Sequence, residues 1–158
     1  MGPDEPPSSR APGAVLFACN FNRVRSPMAE ALLRRLAGDR IFVDSCGLKP
    51  TPDSFADPQE PRAIDPLVAE VMAEIGCDLS GYRTKTFDEL LDDSFDLVIS
   101  LTPESQHRAV EMARGRAAEI EYWPTQDPTL AEGSRQARLE AYRMTRDTLA
   151  QKIARRFR

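Results

Sequence analysis

The chain has 158 residues, of which 41% are hydrophobic and 29% charged, with a net charge of -4. That length predicts one globular unit of roughly 150 residues, able to bury about 68–70% of its extended-chain surface without disulfides or metals as staples. The mildly acidic balance argues against a nucleic-acid binder, which carries a strongly basic domain, and no run approaches the roughly 18 apolar residues of a membrane span.

Residues 1–13 hold four prolines (Pro3, Pro6, Pro7 and Pro12) and no apolar periodicity. They are expected to form a disordered leader, because they cannot offset their ordering entropy by burial, and residues 14–158 to form the folded domain. The leader lacks the apolar core of a signal peptide, and Pro6 stands where myristoylation at Gly2 requires Ser or Thr. Residues 14–18 (AVLFA) make a continuous apolar run, the pattern of a strand covered on both faces. Ser26 as N-cap and Pro27 at the first helical position open a helix that Gly38 ends.

The alternation repeats along the chain. Residues 41–45 read as a second strand, and residues 49–66 as a loop with five prolines. A second helix is expected over residues 67–75, a third strand over 95–100, a third helix over 103–113 and a fourth strand over 120–123. A long helix spans about 133–157, with Leu139, Tyr142, Leu149, Ile153 and Phe157 forming one apolar stripe. From Gly133 onward eight Lys or Arg face two acids, a local charge of +6, and these arginines are read as solvated. The acidic run through Asp88, Glu89, Asp92, Asp93 and Asp96 and the single histidine, His107, are likewise read as surface features.

Four strands alternating with four helices predict a parallel sheet with helices on both faces. Such sheets bind ligands at the carboxyl ends of their strands, so the residues that follow each strand carry the functional reading. After the first strand comes Cys19-Asn-Phe-Asn-Arg-Val-Arg-Ser26, after the second Ser45-Cys46-Gly47, and after the fourth Gln126-Asp127-Pro128. The first segment is a strand-to-helix turn with a thiol at its start and an arginine six positions later. Backbone N–H groups near a helix N-terminus suit a tetrahedral oxyanion, and Arg25 adds a planar fork matched to phosphate oxygens. The same groups stabilise a thiolate, so Cys19 is expected to be nucleophilic at neutral pH, with Ser26 donating to its sulfur. A lone Cys at a strand end is ordinarily a small buried hydrophobe; the combination of thiol, loop, arginine and Ser-Pro sets this one apart. The three cysteines lie 27 and 31 residues apart and do not match a zinc site, and their odd number points to a reducing, cytoplasmic setting.

The stretch from Val15 through Cys19 to Arg25-Ser-Pro-Met-Ala-Glu-Ala31 resembles the signature of the low-molecular-weight protein tyrosine phosphatases, whose fold thioredoxin-coupled arsenate reductases share. The resemblance continues through Asp44-Ser-Cys-Gly47, residues 76–83, the FDLVISLT strand and Asp127-Pro128, about a hundred residues after the cysteine. It implies a flavodoxin-like three-layer α/β fold with a four-stranded parallel sheet in the order 2-1-3-4. It further implies that Cys19 is the nucleophile of a phosphocysteine mechanism, that Arg25 binds the equatorial oxygens, and that Asp127 is the general acid. Asn20, Phe21, Asn22, Arg23, Val24 and Ser26 would form the phosphate-binding loop, Asn22 holding its shape. No metal or cofactor is implied. The substrate would be a phosphorylated protein or a small phosphomonoester, with no nucleic-acid or membrane partner.

Three Asp-Pro pairs occur. Asp57 lies in the proline-rich loop and Asp65 precedes a helix as an ordinary N-cap, so Asp127, after a sheet strand, is the catalytic candidate. Phe21 stands where the family usually has Gly, and a positive φ there would cost on the order of 1 kcal/mol. Arg23 replaces an aliphatic substrate contact, Val24 a second loop cysteine, and Thr129 and Leu130 the tyrosines of eukaryotic members. Cys46, on the strand beside the first, is a possible redox partner for Cys19 or a small residue packed where the family has Ala. Arsenate reduction with an external thiol is an alternative, since residues 100–107 carry no thiol for an internal relay. A catalytically weak oxyanion-binding module is another.

Overall fold

The computed structural model describes residues 12–92 and 94–158; the leader expected over residues 1–13 lies outside them up to Ala11, as does Asp93 of the acidic run. The elements are β1 (Ala14–Cys19), α1 (Arg25–Ala37), β2 (Phe42–Gly47), α2 (Pro66–Ala73), β3 (Leu97–Ser100), α3 (Pro103–Ala113), β4 (Glu119–Tyr122) and α4 (Arg135–Phe157). Single turns of 3-10 helix cover Gly38–Arg40, Phe87–Glu89 and Pro128–Leu130. All strand pairs are parallel and the order is β2-β1-β3-β4, the expected flavodoxin-like arrangement. Among the described residues no helix is long and apolar enough to cross a membrane.

The apolar run of β1 follows from its central position, with Val15, Leu16, Phe17 and Ala18 all fully buried. Strand alternation sends Val15, Phe17 and Cys19 to one face, where Met28 and Leu33 of α1 and Leu139, Leu149 and Ile153 of α4 pack on them. Leu16 and Ala18 point the other way, against Phe87, Val98 and Ala109. Three helices therefore cover one face, α2 through its packing on α4, while α3 and the Phe87 turn cover the other.

Local signals set most helix ends. Asp65 caps α2, its Oδ1 accepting from the Leu67 N–H at 2.8 Å, with Pro66 next. Thr102 and Ser134 cap α3 and α4 in the same way, and Gly38 ends α1 at φ 58. At the other end of α1 the expectation fails. The helix begins at Arg25, its N-cap is Val24, and no side chain caps it. The Ser26 hydroxyl is turned to the Cys19 sulfur instead, and Pro27 is tolerated because the first four helical N–H groups have no intrahelical acceptor.

The arginines of α4 are a second departure from the sequence reading, which left them in solvent. Arg146 is buried and donates to the Val71 carbonyl and the Glu74 carboxylate, at 2.8 and 2.9 Å. Arg143 reaches the same carboxylate through Nε and Nη2, Arg135 pairs with Glu70, and Arg156 pairs with Glu121 of β4. The periodic apolar stripe gave no sign of these clamps, because their acids lie on other elements. The acidic run is also partly structural: Asp96 Oδ2 accepts from the N–H groups of Gly13 and Ala14, fixing the start of β1.

Hydrogen bonds from Arg143 and then Arg146 hold the Glu74 carboxyl down at about 2, against an ordinary 4.5. A depressed folded-state value means that the ionised form stabilises the fold above the unfolded value, and that this is lost as pH falls through the folded one. The stability gap between wild type and Glu74→Gln should therefore be full above pH 4.5 and shrink as pH falls towards 2. Chemical denaturation across that range reads it, and a gap that does not change with pH would show that the charge is not what holds α4 to α2.

Candidate active site

β1 ends at Cys19, and the chain then turns through five residues before α1 begins at Arg25. The turn is held from outside by its carbonyls. Leu48 N–H donates to Cys19 O at 3.0 Å, Lys49 N–H to Asn20 O at 2.9 Å, and Asp65 N–H to Arg23 O at 3.2 Å. Among the described residues the amides of Phe21, Asn22, Arg23, Val24 and Arg25 donate to no protein acceptor. Unpaired amides at the N-terminus of a 13-residue helix give this loop the donor set and dipole that an oxyanion needs.

Asn22 holds the loop from beneath. It is fully buried and adopts φ 57, the one positive φ outside glycine among the described residues. The strain expected at Phe21 thus falls one residue later, on a residue type that tolerates the left-handed region. Asn22 Oδ1 accepts from Lys85 N–H at 3.0 Å, which fixes the orientation of the amide. Its Nδ2 donates to Ser26 Oγ at 2.8 Å and to Ser45 Oγ at 3.0 Å. Ser26 Oγ lies 2.9 Å from Cys19 Sγ and 3.4 Å from the Cys46 carbonyl, to which it can donate.

The network continues into the core. Ser45 donates to Glu30 Oε1 at 2.6 Å, and Tyr82 contacts Ser45, Glu30 and Asn22 through its hydroxyl. Burial raises the Glu30 carboxyl above its ordinary value, opposed by Ser45 and Arg34; burial, with Glu30 beside it, lifts the Tyr82 phenol far above its own. Glu30, Tyr82 and Lys85 escaped the sequence reading, since nothing local ties residues 8, 60 and 63 positions from Asn22 to its loop. Gly47 escaped too. A Cβ there would lie 2.6 Å from the Phe21 carbonyl carbon and 2.7 Å from Asn22 N, so only glycine lets β2 approach the loop this closely.

Above the loop is a cavity of about 440 Å³ lined by Cys19, Asn20, Phe21, Arg23, Val24 and Arg25. Asn22 and Ser26 lie beneath it, both fully buried. Asp127 lines the opposite wall. Its Oδ1 accepts from Thr129 N–H and Oγ1 at 3.0 and 2.7 Å, capping the Pro128–Leu130 turn, and its Oδ2 lies 3.9 Å from Arg25 Nη2. Arg25 also donates to the Thr125 carbonyl at 3.0 Å. Phe55 and Leu130, both exposed, and Tyr142 complete the apolar part of the rim. The aromatic lining is thus supplied by Phe21, the proline-rich loop and α4, not by the residues after Asp127.

The described cysteines are all free, and the other two lie apart from this cavity. Cys46 pairs in register with Ala18 and packs with it on the α3 face of the sheet, whereas Cys19 faces α1. Burial pushes the Cys46 thiol well above its ordinary value. Cys77 packs at the edge of the α1 core and lines a different cleft with Glu30 and Arg34. Among the described residues no group of three His, Cys, Asp or Glu side chains is placed to hold a metal ion. His107 is exposed on α3, 3.4 Å from Glu111.

The low molecular weight phosphotyrosine protein phosphatase family matches residues 14–155. The chain belongs to that family. Within it, an arsenate reductase of Halalkalibacterium halodurans is 30% identical over 139 residues, 88% of this chain and 91% of that protein. A solved arsenate reductase in the phosphate binding state superposes with a TM-score of 0.71 at 27% identity, covering 91% of this chain and 95% of that one. The tyrosine phosphatase Wzb from Escherichia coli K30, solved with sulphate, shares the fold at a TM-score of 0.68 and 21% identity, over 91% and 97% of the two chains. Arsenate reductases are thus among the relatives of this chain, and a tyrosine phosphatase shares its fold.

Two outcomes follow from this geometry. Asn22→Ala removes two donated and two accepted hydrogen bonds from a buried site and places Ala at φ 57. It should lower stability by about 2 kcal/mol or more in chemical denaturation. In peroxide-treated protein, peptide mass mapping should find no Cys19–Cys46 disulfide, because the sheet stands between the two side chains.

Proposed function

We propose that this family member is a cysteine-dependent enzyme that takes a tetrahedral oxyanion at Cys19, and that hydrolysis of phosphomonoesters is the reaction its side chains support best. The observation that carries the reading is the convergence of Cys19, Arg25 and Asp127 on one cavity. A pure anion binder needs neither a thiol nor a carboxylic acid in that place. In the proposed cycle the Cys19 sulfur attacks phosphorus as the ester P–O bond breaks, and Asp127 gives its proton to the leaving oxygen. The Asp127 carboxylate then takes a proton from water, which attacks phosphorus, breaks the S–P bond and releases inorganic phosphate. Arg25 and the loop amides hold the equatorial oxygens throughout, where charge spreads in the transition state. Ser26 donates to the sulfur and favours its thiolate as attacking and as leaving group. Asn20, Phe21, Arg23 and Val24 form the cavity floor and wall, and Asn22 keeps the loop in shape. The free thiols suit a reducing, cytoplasmic setting.

Arsenate reduction is a second reading, and the names of the relatives favour it over ester hydrolysis. Here Cys19 attacks arsenic and water leaves; a second thiol then attacks the Cys19 sulfur. As the new disulfide forms, the S–As bond breaks and its electron pair stays on arsenic. The two thiols thus act as the two-electron reductant, As(V) becomes As(III) and arsenite is released. A further thiol then reduces the mixed disulfide and returns Cys19. With Cys46 and Cys77 outside the cavity, that second thiol comes from another molecule.

A single comparison separates the readings. Hydrolysis of a small aryl phosphate and arsenite release from arsenate, the latter with and without added glutathione or glutaredoxin, are measured on wild type, Cys19→Ser and Asp127→Asn. Hydrolysis should vanish in Cys19→Ser and fall by roughly 10²–10⁴ in Asp127→Asn. Arsenite release that requires the added thiol, together with no ester hydrolysis by fresh phosphate-free wild type, would replace the first reading by the second.

A further inference from the structure

Arg23 is the most unusual side chain in the cavity. Its side chain is 16% exposed, and it lines the same space as Cys19. Among the described residues its guanidinium donates no hydrogen bond, and its Nε is buried without a partner. The nearest acid is Asp65, at 4.0 Å. That carboxylate is already engaged at shorter range, Oδ1 by Leu67 N–H at 2.8 Å and Oδ2 by the Tyr142 hydroxyl at 2.8 Å. Arg25, by contrast, has the Thr125 carbonyl and Asp127. A second guanidinium, that of the exposed Arg138 on α4, lines the cavity and has no ion pair or side-chain hydrogen bond among the described residues. A guanidinium left nearly buried without acceptors is costly unless a ligand supplies them.

We infer that the substrate carries a second anionic group beside the one that Cys19 attacks, and that Arg23, with Arg138, binds it. The inference rests on the reading of the Cys19 loop as an oxyanion site and adds the substrate class: a phosphomonoester with a carboxylate or second phosphate on the organic part. Arg23 is the specificity-determining residue. It offers a planar fork that a carboxylate fits in bidentate fashion, from within the loop that holds the first anion. The source of that second anion is a small metabolite or an acidic residue flanking a phosphorylated side chain.

Phosphonates, which cannot be hydrolysed, test this without requiring turnover. Binding of phenylphosphonate and of its meta- and para-carboxyl derivatives to the full chain is measured by calorimetry at fixed salt, for wild type, Arg23→Lys and Arg23→Met. Wild type should bind at least one carboxyl derivative roughly tenfold more tightly than the parent. The ratio should narrow in Arg23→Lys and approach one in Arg23→Met, whatever happens to the affinity for phenylphosphonate itself. No preference in wild type for either derivative, or a preference unchanged in Arg23→Met, overturns the inference. A pair of phosphotyrosine peptides, flanked by Glu or by Gln, is bound to Cys19→Ser in parallel. Preference for the Glu peptide places the second anion on a protein substrate, and preference confined to the phosphonates places it on a small molecule. Absence of aryl phosphate hydrolysis with the phosphonate preference intact would end the hydrolase reading and leave this inference standing.

Discussion

Asn22 carries two constraints at once. Its backbone takes the left-handed turn at φ 57 that lets the loop after β1 close on itself, and its side chain is fully buried under that loop. Every polar atom of the amide is used: Oδ1 by Lys85 N–H and the Tyr82 hydroxyl, Nδ2 by Ser26 and Ser45. Because Nδ2 occupies the acceptor side of Ser26, the serine hydroxyl is held between the Cys19 sulfur and the Cys46 carbonyl. The orientation of one amide thus fixes the hydroxyl that touches Cys19. In a low-dielectric interior such a network is stable when each member is satisfied and expensive when one is removed.

The network also explains why the site sits where it does. Its members come from β1's loop, α1, β2 and the segment around Tyr82, all meeting at the carboxyl ends of parallel strands. Gly47 lets β2 come within van der Waals reach of the loop backbone, and Asp65 ties the loop to the start of α2 through its N–H. Above this floor the Asp127 turn, Phe55 and Leu130 form the other walls of the cavity. In the two proposed reactions, what differs is whether an acid or a second thiol completes the chemistry at Cys19.

Charge is arranged in two tiers. Beneath the loop, burial raises the Glu30 carboxyl above its ordinary value, opposed by Ser45 and Arg34. Above the loop, Arg23, Arg25 and Arg138 outnumber Asp65 and Asp127. The chain is acidic as a whole, at -4, yet its cavity is locally cationic. On the proposed reading, that local charge favours anionic substrates.

The fold was legible in the sequence because its signals are local. Apolar runs of two periods, Asp65-Pro66 before α2 and Gly38 after α1 act within a few residues, and each lies where it was expected. The order of the thiol, the loop arginine and Asp127 was equally open to reading, since spacing alone carries it. The start of α1 was misread because Ser26, a good cap by composition, had a stronger use for its hydroxyl at Cys19. The strain assigned to Phe21 belonged to Asn22, a matter of backbone torsion that residue type does not specify. Sequence by itself determined the α/β alternation, the cap of α2, the end of α1 and the position of the cysteine loop. Tertiary structure alone decided that Glu30, Tyr82 and Lys85 hold that loop, that the α4 arginines clamp α2 and β4, that Cys46 faces away from Cys19, and that Arg23 lines the cavity with its Nε unpartnered among the described residues. The physical reason is that caps and periodicity are satisfied by neighbours in the chain. Buried polar groups and charges find their partners across the sheet, at separations no local pattern records.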